Sequence, residues 1–366
     1  MEKITIFKTN VVILALFLGA VAFAEARPIG VFDSGVGGLT VLEQMLAMDL
    51  YDNESGKRES DGRPDFENEK FLYFGDQANM PYGDYAAAGK SDYLKKLIVA
   101  DAEFLLARKS KILAIACNTA TAWGLREVTV RGQQNGVETL GVIDSGVGSA
   151  LALLDKMPGT GAVSIGVMAT PGTIASGAYE RTVNERIRAL GIKRKVKVFS
   201  QGCAGLADAV EAGSSQANKI AIDNFNVLKA KHDADKDAGP MNIVILGCTH
   251  FPFILPELQK VAPNVNFVDP AVAMAEECYL ILRKRELLNK SGAMSLKMYI
   301  SVPATGLDKR YLDANGALTR ECKYSRELAD KTVWTMPKRY TSIDAANNLF
   351  VRKQLPKTWK LLSDTK

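Results

Sequence analysis

The sequence predicts an α/β protein of two pseudo-symmetric, doubly wound domains, with mostly parallel sheets and an active site in the cleft between them. Three observations lead there. Short apolar, β-branched runs alternate with longer segments of helical period. The strand-like runs are apolar almost throughout, as strands covered on both faces are. Two motifs also recur in the same order in the two halves of the chain.

Residues 1–24 stand apart from this pattern. Lys3 and Lys8 give a positive start, residues 11–22 carry no charge, and Ala22-Phe23-Ala24 offers a small-x-small cleavage site before Glu25. The segment reads as a secretory signal peptide, which implies export and a periplasmic location. An uncleaved anchor, or a cytoplasmic protein, is the alternative, and the shortness of the apolar run argues against an anchor. The remaining chain holds no apolar stretch of 18 residues, so no stable membrane span is expected after cleavage.

Strands are predicted at 28–32, 70–74, 112–116, 139–143, 163–168, 196–199, 243–246 and 265–268, with helices at 39–48, 90–108, 121–130, 177–190 and 271–285. They group into a first domain at 27–138, completed by the chain at about 270–320, and a second at 139–269. Residues 49–69 are polar and read as a surface insertion. Beyond Lys290 a strand-like run at 296–302 leads into a C-terminal extension at 321–366.

The internal repeat says where chemistry would sit. IGVFDSGVGGLTVL around Asp33 returns as LGVIDSGVGSALALL around Asp144, each read as a strand entering a glycine-rich turn and then a helix. Downstream, ILAIACNTAT with Cys117 is matched by NIVILGCTHF with Cys248. Ligands of open α/β sheets bind at the carboxyl ends of the strands, where both cysteines fall. One thiol would then approach a central ligand from each side. Two opposed thiols suit the inversion of a stereocentre: a thiolate removes a proton from one face of a carbon, and the opposite thiol delivers one to the other. A thiol of reference pKa about 8.5 at a helix N-terminus is a reasonable base for this. Cys203, Cys278 and Cys322 read as buried filler.

Composition narrows the partner. In 366 residues the net charge is +5, with both signs interspersed, so nothing resembles the basic stripe of a nucleic-acid binder. With 2 histidines, 5 cysteines and no C-x-x-C or H-x-x-x-H spacing, neither a structural zinc nor a zinc-hydrolase site is expected. Asp33, directly after a strand, can accept a proton, orient an ammonium group or cap its turn. His250, two residues from Cys248, can partner its thiol. Ser34, Asn118, Thr119 and Thr249 offer hydroxyl and amide groups suited to carboxylates. His232 reads as a solvated loop residue.

The strings PIGVFDSGVGGLTVL, YFGDQANMPYG, ACNTAT, VMATPGTIASGAYE and LGCTHFP, in this order over about 28–285, resemble the glutamate racemases of the aspartate/glutamate racemase family. The resemblance implies interconversion of L- and D-glutamate without a cofactor or metal, with a small amino acid as partner and a homodimer allowed. His250 after Cys-Thr favours glutamate over aspartate. Cys117 matches the base acting on the D-isomer and Cys248 the base acting on the L-isomer, with Asp33 beside the first and His250 beside the second. Asp33, Ser34, Tyr82, Gly83, Asn118, Thr119, Thr249 and His250 match substrate-binding positions. Glu211, in AVEAG, resembles a glutamate near the second half-site, although the preceding QGCAGLAD departs from the family's segment. The family is ordinarily cytoplasmic and supplies D-glutamate for peptidoglycan biosynthesis, in tension with an export signal. An exported racemase for another amino acid and a periplasmic amino-acid-binding module stay open. A one-base relative such as a decarboxylase is disfavoured by the second cysteine.

Overall fold

The computed structural model describes residues 26–211, 213–302, 309–311, 319, 333–335 and 354–364. The expected signal segment 1–24, with the cleavage site read at its end, and Cys322 lie outside the described residues.

The chain opens with β1 (Ile29–Asp33), α1 (Leu39–Ala47), β2 (Lys70–Gly75), α2 (Gly83–Ala87), α3 (Ser91–Ala107), β3 (Ile112–Ile115), α4 (Asn118–Gln134) and β4 (Glu138–Gly141). It continues with α5 (Val142–Lys156), β5 (Val163–Ala169), α6 (Pro171–Ala175), α7 (Ala178–Leu190), β6 (Val196–Gly202), α8 (Leu206–Glu211) and α9 (Ala217–Asp233). After these come β7 (Met241–Gly247), α10 (Leu255–Val261), β8 (Asn266–Val268), α11 (Pro270–Lys284), β9 (Ser295–Val302), β10 (Val333–Thr335) and α12 (Pro356–Asp364).

Two sheets result, in the orders β10-β9-β2-β1-β3-β4 and β6-β5-β7-β8. All pairings are parallel except that of β10 with β9. The near-continuous apolar runs are explained by period-2 alternation between two dry faces. Ile29, Val31, Phe71, Tyr73, Ile112 and Ala114 enter the core on one side of the first sheet, and Phe32, Leu72, Phe74, Leu113 and Ile115 enter the core on the other. The second sheet does the same, with Ile165, Ile243 and Ile245 on one side and Met168, Val244 and Leu246 on the other.

The order β2-β1-β3-β4 is repeated by β6-β5-β7-β8, so the duplication is real in plan. Its register differs from the sequence reading. β4 joins the first sheet, ends at Gly141, and leads into α5, so the expected strand at 139–143 does not open the second unit. Asp144 lies in the first turn of α5 rather than in a glycine-rich turn. By topology its counterpart is Asp269, which caps α11 by accepting from the Ala271 N–H at 2.9 Å. Packing explains why the same pentapeptide takes two conformations: Gly146 faces Pro270, where a Cβ would sit 2.9 Å from the ring, so this glycine lets α5 and α11 approach. The two helices cross over, α5 burying Val147 and Leu151 in the second core and α11 burying Met274 and Cys278 in the first.

The end of the chain does complete the first sheet, β9 running parallel to β2. The expected C-terminal extension adds, in its described parts, the edge strand β10 and helix α12. Glu43 of α1 accepts from the Lys357 and Thr358 N–H groups, capping α12 with a buried carboxylate. The 49–69 segment is also less superficial than its polarity implies: Tyr51, Asp65, Phe66 and Glu69 are buried, and Asp65 accepts from the Leu50 and Tyr51 N–H groups. Among the described residues no helix is long and apolar enough to cross a membrane.

Candidate active site

The carboxyl ends of β1 and β3 in one sheet, and of β5 and β7 in the other, face a common cavity of about 220 Å³. That is below the roughly 300–1,000 Å³ of pockets for drug-sized ligands, and fits one small molecule. Every residue predicted for the site, from Asp33 and Ser34 through Tyr82, Gly83, Cys117, Asn118, Thr119 and Glu211 to Cys248, Thr249 and His250, lines this one cavity. Among the described residues no lysine or arginine lines it, and hydroxyls and amide N–H groups are the donors it offers to the carboxylates of a ligand.

Cys117 is the N-cap of α4, and its sulfur accepts from the Ala120 N–H at 3.4 Å. Its thiol donates to Ser34 Oγ at 3.5 Å. Burial, followed by the neighbouring Asp33 carboxylate, pushes the thiol up to about 12, against the helix amide and Ser34 that pull it down. Cys117 is therefore protonated at neutral pH. Asp33 accepts from the Gly35 N–H at 2.9 Å, and burial lifts it above the usual carboxylate range against the pull of His250 and the Gly35 and Gly38 amides. A Cβ on Gly38 would stand 2.5 Å from Asp33 Cβ, so only glycine lets the loop turn this tightly over the carboxylate.

The second half-site is built differently. Cys248 Sγ faces His250 Nδ1 at 3.9 Å, and His250 Nε2 faces Glu211 Oε2 at 3.2 Å. Burial alone would depress the imidazole, but the hydrogen bonds to Cys248 and Glu211 outweigh it and hold His250 well above its ordinary value. Set between sulfur and carboxylate, His250 thus favours its protonated form more than a free imidazole does. The dyad also explains the inequality. The Asp33 carbonyl accepts from the Asp76 N–H, and at the matching place the Ala169 carbonyl accepts from the Cys203 N–H. Ala169 replaces Asp33 in the second half, so the charged partner of Cys248 comes from elsewhere in the chain.

Two predicted ligand groups are already engaged. Tyr82 directs its hydroxyl to Asp76 and Asp101, at 2.6 and 2.5 Å, and Asn118 Oδ1 accepts from Tyr179 Oη at 2.6 Å. Tyr82 therefore meets the cavity by its ring and backbone, and Asn118 has its amide N–H₂ left for a ligand. Gly83 belongs to a close contact between the units, since a Cβ on Gly172 would lie 2.5 Å from Gly83 Cα. Thr119 joins Thr170 and Thr173 in a hydroxyl cluster at 2.9 to 3.2 Å.

Sequence reading missed Thr170 and Gly172, although Thr170-Pro171 carried an N-cap signature. It also read Cys203 as filler, whereas Cys203 lines the cavity, its thiol pushed by burial up to about 12. Asp144 does not line the cavity; it pairs with Arg186 at 3.6 Å. His232 closes the end of α9, with Nε2 2.8 Å from the Gly239 carbonyl oxygen, and is not a loop residue.

Comparison with known proteins bears on the family of the chain. A profile described as Asp/Glu/Hydantoin racemase matches residues 72–278. The chain belongs to this racemase family. It is 35% identical over 269 residues to a glutamate racemase of Syntrophus aciditrophicus, covering 72% of this chain and 83% of the relative. A glutamate racemase of Ectopseudomonas mendocina is 31% identical, with coverage of 75% and 89%. Among solved structures, a Francisella tularensis glutamate racemase in complex with D-glutamate superposes with a TM-score of 0.58 at 27% identity, covering 78% of this chain and 90% of that one. One from Thermus thermophilus in complex with β-chloro-D-alanine superposes at 0.54 and 30% identity, with the same coverage.

Proposed function

We propose that this racemase-family protein interconverts L- and D-glutamate without a cofactor, using Cys117 and Cys248 as its two bases. The observation that carries the reading is the meeting of both thiols, from corresponding strands of two sheets, in one cavity too small for a peptide chain. Glutamate racemases similar in sequence, and a related structure in complex with D-glutamate, support glutamate as substrate.

From L-glutamate, Cys248 as thiolate removes the Cα proton, with the His250 imidazolium and Glu211 behind it stabilising the sulfur's negative charge. Cys117, held protonated by burial, delivers its proton to the opposite face of the carbanion. The product is D-glutamate, with a Cys248 thiol and a Cys117 thiolate, and the reverse reaction begins from that state. Asp33 beside Cys117 orients the substrate ammonium, and Ser34, Asn118, Thr119 and Thr249 receive the carboxylates.

Cα deuterium exchange from solvent tests this directly. Both enantiomers of glutamate should exchange, in the presence of chelators and carbonyl reagents alike. A binding module would exchange neither, and exchange confined to another amino acid would replace the substrate. We further propose export, on the charge, apolar run and cleavage pattern of residues 3–24. N-terminal sequencing of the native protein should find Glu25. Met1 in a cytosolic fraction would overturn export and return the product to peptidoglycan precursors.

A further inference from the structure

The cavity wall at residues 80–83 is held from behind by a buried chain of hydrogen bonds that the two thiols do not use. Tyr82 Oη lies 2.6 Å from Asp76 Oδ2 and 2.5 Å from Asp101 Oδ2, and all three side chains are buried. One phenolic proton cannot serve two carboxylates, so one carboxyl carries a proton of its own. Asp101 is that one. Its other oxygen has no hydrogen-bond partner, which an ionised group buried here would not tolerate. Burial, with the Asp76 charge added, also lifts it well above the usual carboxylate range. Asp101 therefore donates to the phenol oxygen, and the phenol donates to Asp76.

Asp76 then needs donors at its second oxygen. It accepts there from Ser301 Oγ at 2.5 Å and from Asn79 Nδ2 at 2.8 Å. Ser301 Oγ in turn accepts from the Ala78 N–H at 3.0 Å. Ser301 is fully buried, one residue beyond the Gly75–Ile300 pairing of β2 with β9, and lies past the 72–278 stretch that carries the family match. The Asp76 N–H donates to the Asp33 carbonyl at 2.9 Å, so the same residue touches the first half-site on its other side. A directional, charge-assisted chain in a dry interior orients what it holds, which apolar packing of equal volume would not.

We infer that Ser301 is a positioning residue for racemisation, acting through Asp76 and Tyr82 to hold the 80–83 wall against the substrate. This rests on the racemase reading above. Ser301→Ala removes the hydroxyl from both of its bonds, and Ser301→Thr keeps it. The wall binds substrate and transition state alike, so its loosening should raise KM and spare kcat.

The test compares wild type, Ser301→Ala and Ser301→Thr in the full chain by glutamate racemisation and by amide hydrogen exchange. Ser301→Ala should raise KM by about tenfold, the weight of one hydrogen bond to a charged group, with kcat within about threefold. Amides of residues 77–85 should exchange faster while those of β1 do not, and Ser301→Thr should restore both properties. The inference is overturned if Ser301→Ala matches wild type in KM and exchange. It is equally overturned if KM rises while kcat and β1 protection fall with it and Thr does not restore them, since that is general loss of packing. A wild type that does not racemise glutamate would sink the functional reading instead, and the exchange comparison would still decide the role of Ser301.

Discussion

Glu211 Oε2 stands 3.2 Å from His250 Nε2, and the opposite nitrogen of the same ring faces the Cys248 sulfur at 3.9 Å. Cys117 has no such relay. It has a helix N-terminus, a serine hydroxyl and a buried aspartate. The two thiols of this racemase-family protein are thus related by topology and unequal in chemistry, and, with both as the proposed bases, the unequal supports lead to direction-dependent outcomes.

Replacing either thiol should stop racemisation in both directions, because each direction needs one group as base and the other as acid. Elimination from a glutamate analogue with a leaving group at Cβ requires only the first proton transfer. Cys117→Ala should keep elimination from the L-analogue, and Cys248→Ala from the D-analogue. Circular dichroism for racemisation and a keto-acid assay for elimination separate the two. Near-wild-type racemisation by both variants would refute the assignment.

Glu211→Gln weakens the charge behind His250 and should lower kcat from L-glutamate by about 10- to 100-fold, with a smaller effect from D-glutamate. The pH dependence has a definite sign. His250 is raised in the folded protein, so its contribution to stability is fully present below its unfolded value and is lost as pH rises through the folded one. The alkaline limb of the L-to-D rate follows the same titration, and Glu211→Gln should move it to lower pH. An unmoved alkaline limb, measured across about pH 6–10 so as to span the reference values of His and Cys, would remove His250 from this role.

Gly172→Ala should act through distance. The new methyl would meet the Gly83 backbone at 2.5 Å, and backbone on both sides leaves no flexible group to yield. The units must separate over the cavity, at a cost of about 1–3 kcal/mol. A raised KM with a lowered Tm is expected, and unchanged values of both would show that the contact does not set the cleft.

Away from the site, Lys111 and Glu69 form an ion pair at 2.5 Å with both side chains almost fully buried, and Lys111 also donates to the Leu287 carbonyl at 2.6 Å. Lys111→Met strands a buried carboxylate and should destabilise by about 3–5 kcal/mol in denaturant unfolding. Lys111→Met with Glu69→Leu should recover part of that loss, since the second change removes the uncompensated charge but leaves the Asn289 N–H and side-chain amide without the carboxylate they donate to.

The amino-acid sequence by itself determined the elements whose causes are local. Apolar β-branched runs made β1, β3, β5 and β7, and a small residue, Cys and polar group after each apolar run put Cys117 and Cys248 at strand ends. Most of the predicted site residues reached one cavity because they are tied to such an end or to the turn beside it, whereas Tyr82 and Gly83 begin α2 after β2 and Glu211 ends α8 after β6. What only the tertiary structure decided was long-range: that β4 pairs with β3, that Asp144 starts a helix, and that Ala169 occupies the place of Asp33. Asp-Ser-Gly-Val-Gly occurs twice, and the copies differ at the next residue, Gly38 in one and Ser149 in the other. In one, Gly37 lies against Thr249 and His250 across the cleft and the chain turns; in the other, Gly146 lies against Pro270 and the chain winds into α5. The orientation of Tyr82 was equally hidden, because it depends on Asp101 and on an Asp76 held by Ser301 from 225 residues away. Backbone preference within five residues is worth about 1 kcal/mol or less per residue, and burial of a side chain against a distant element is worth more.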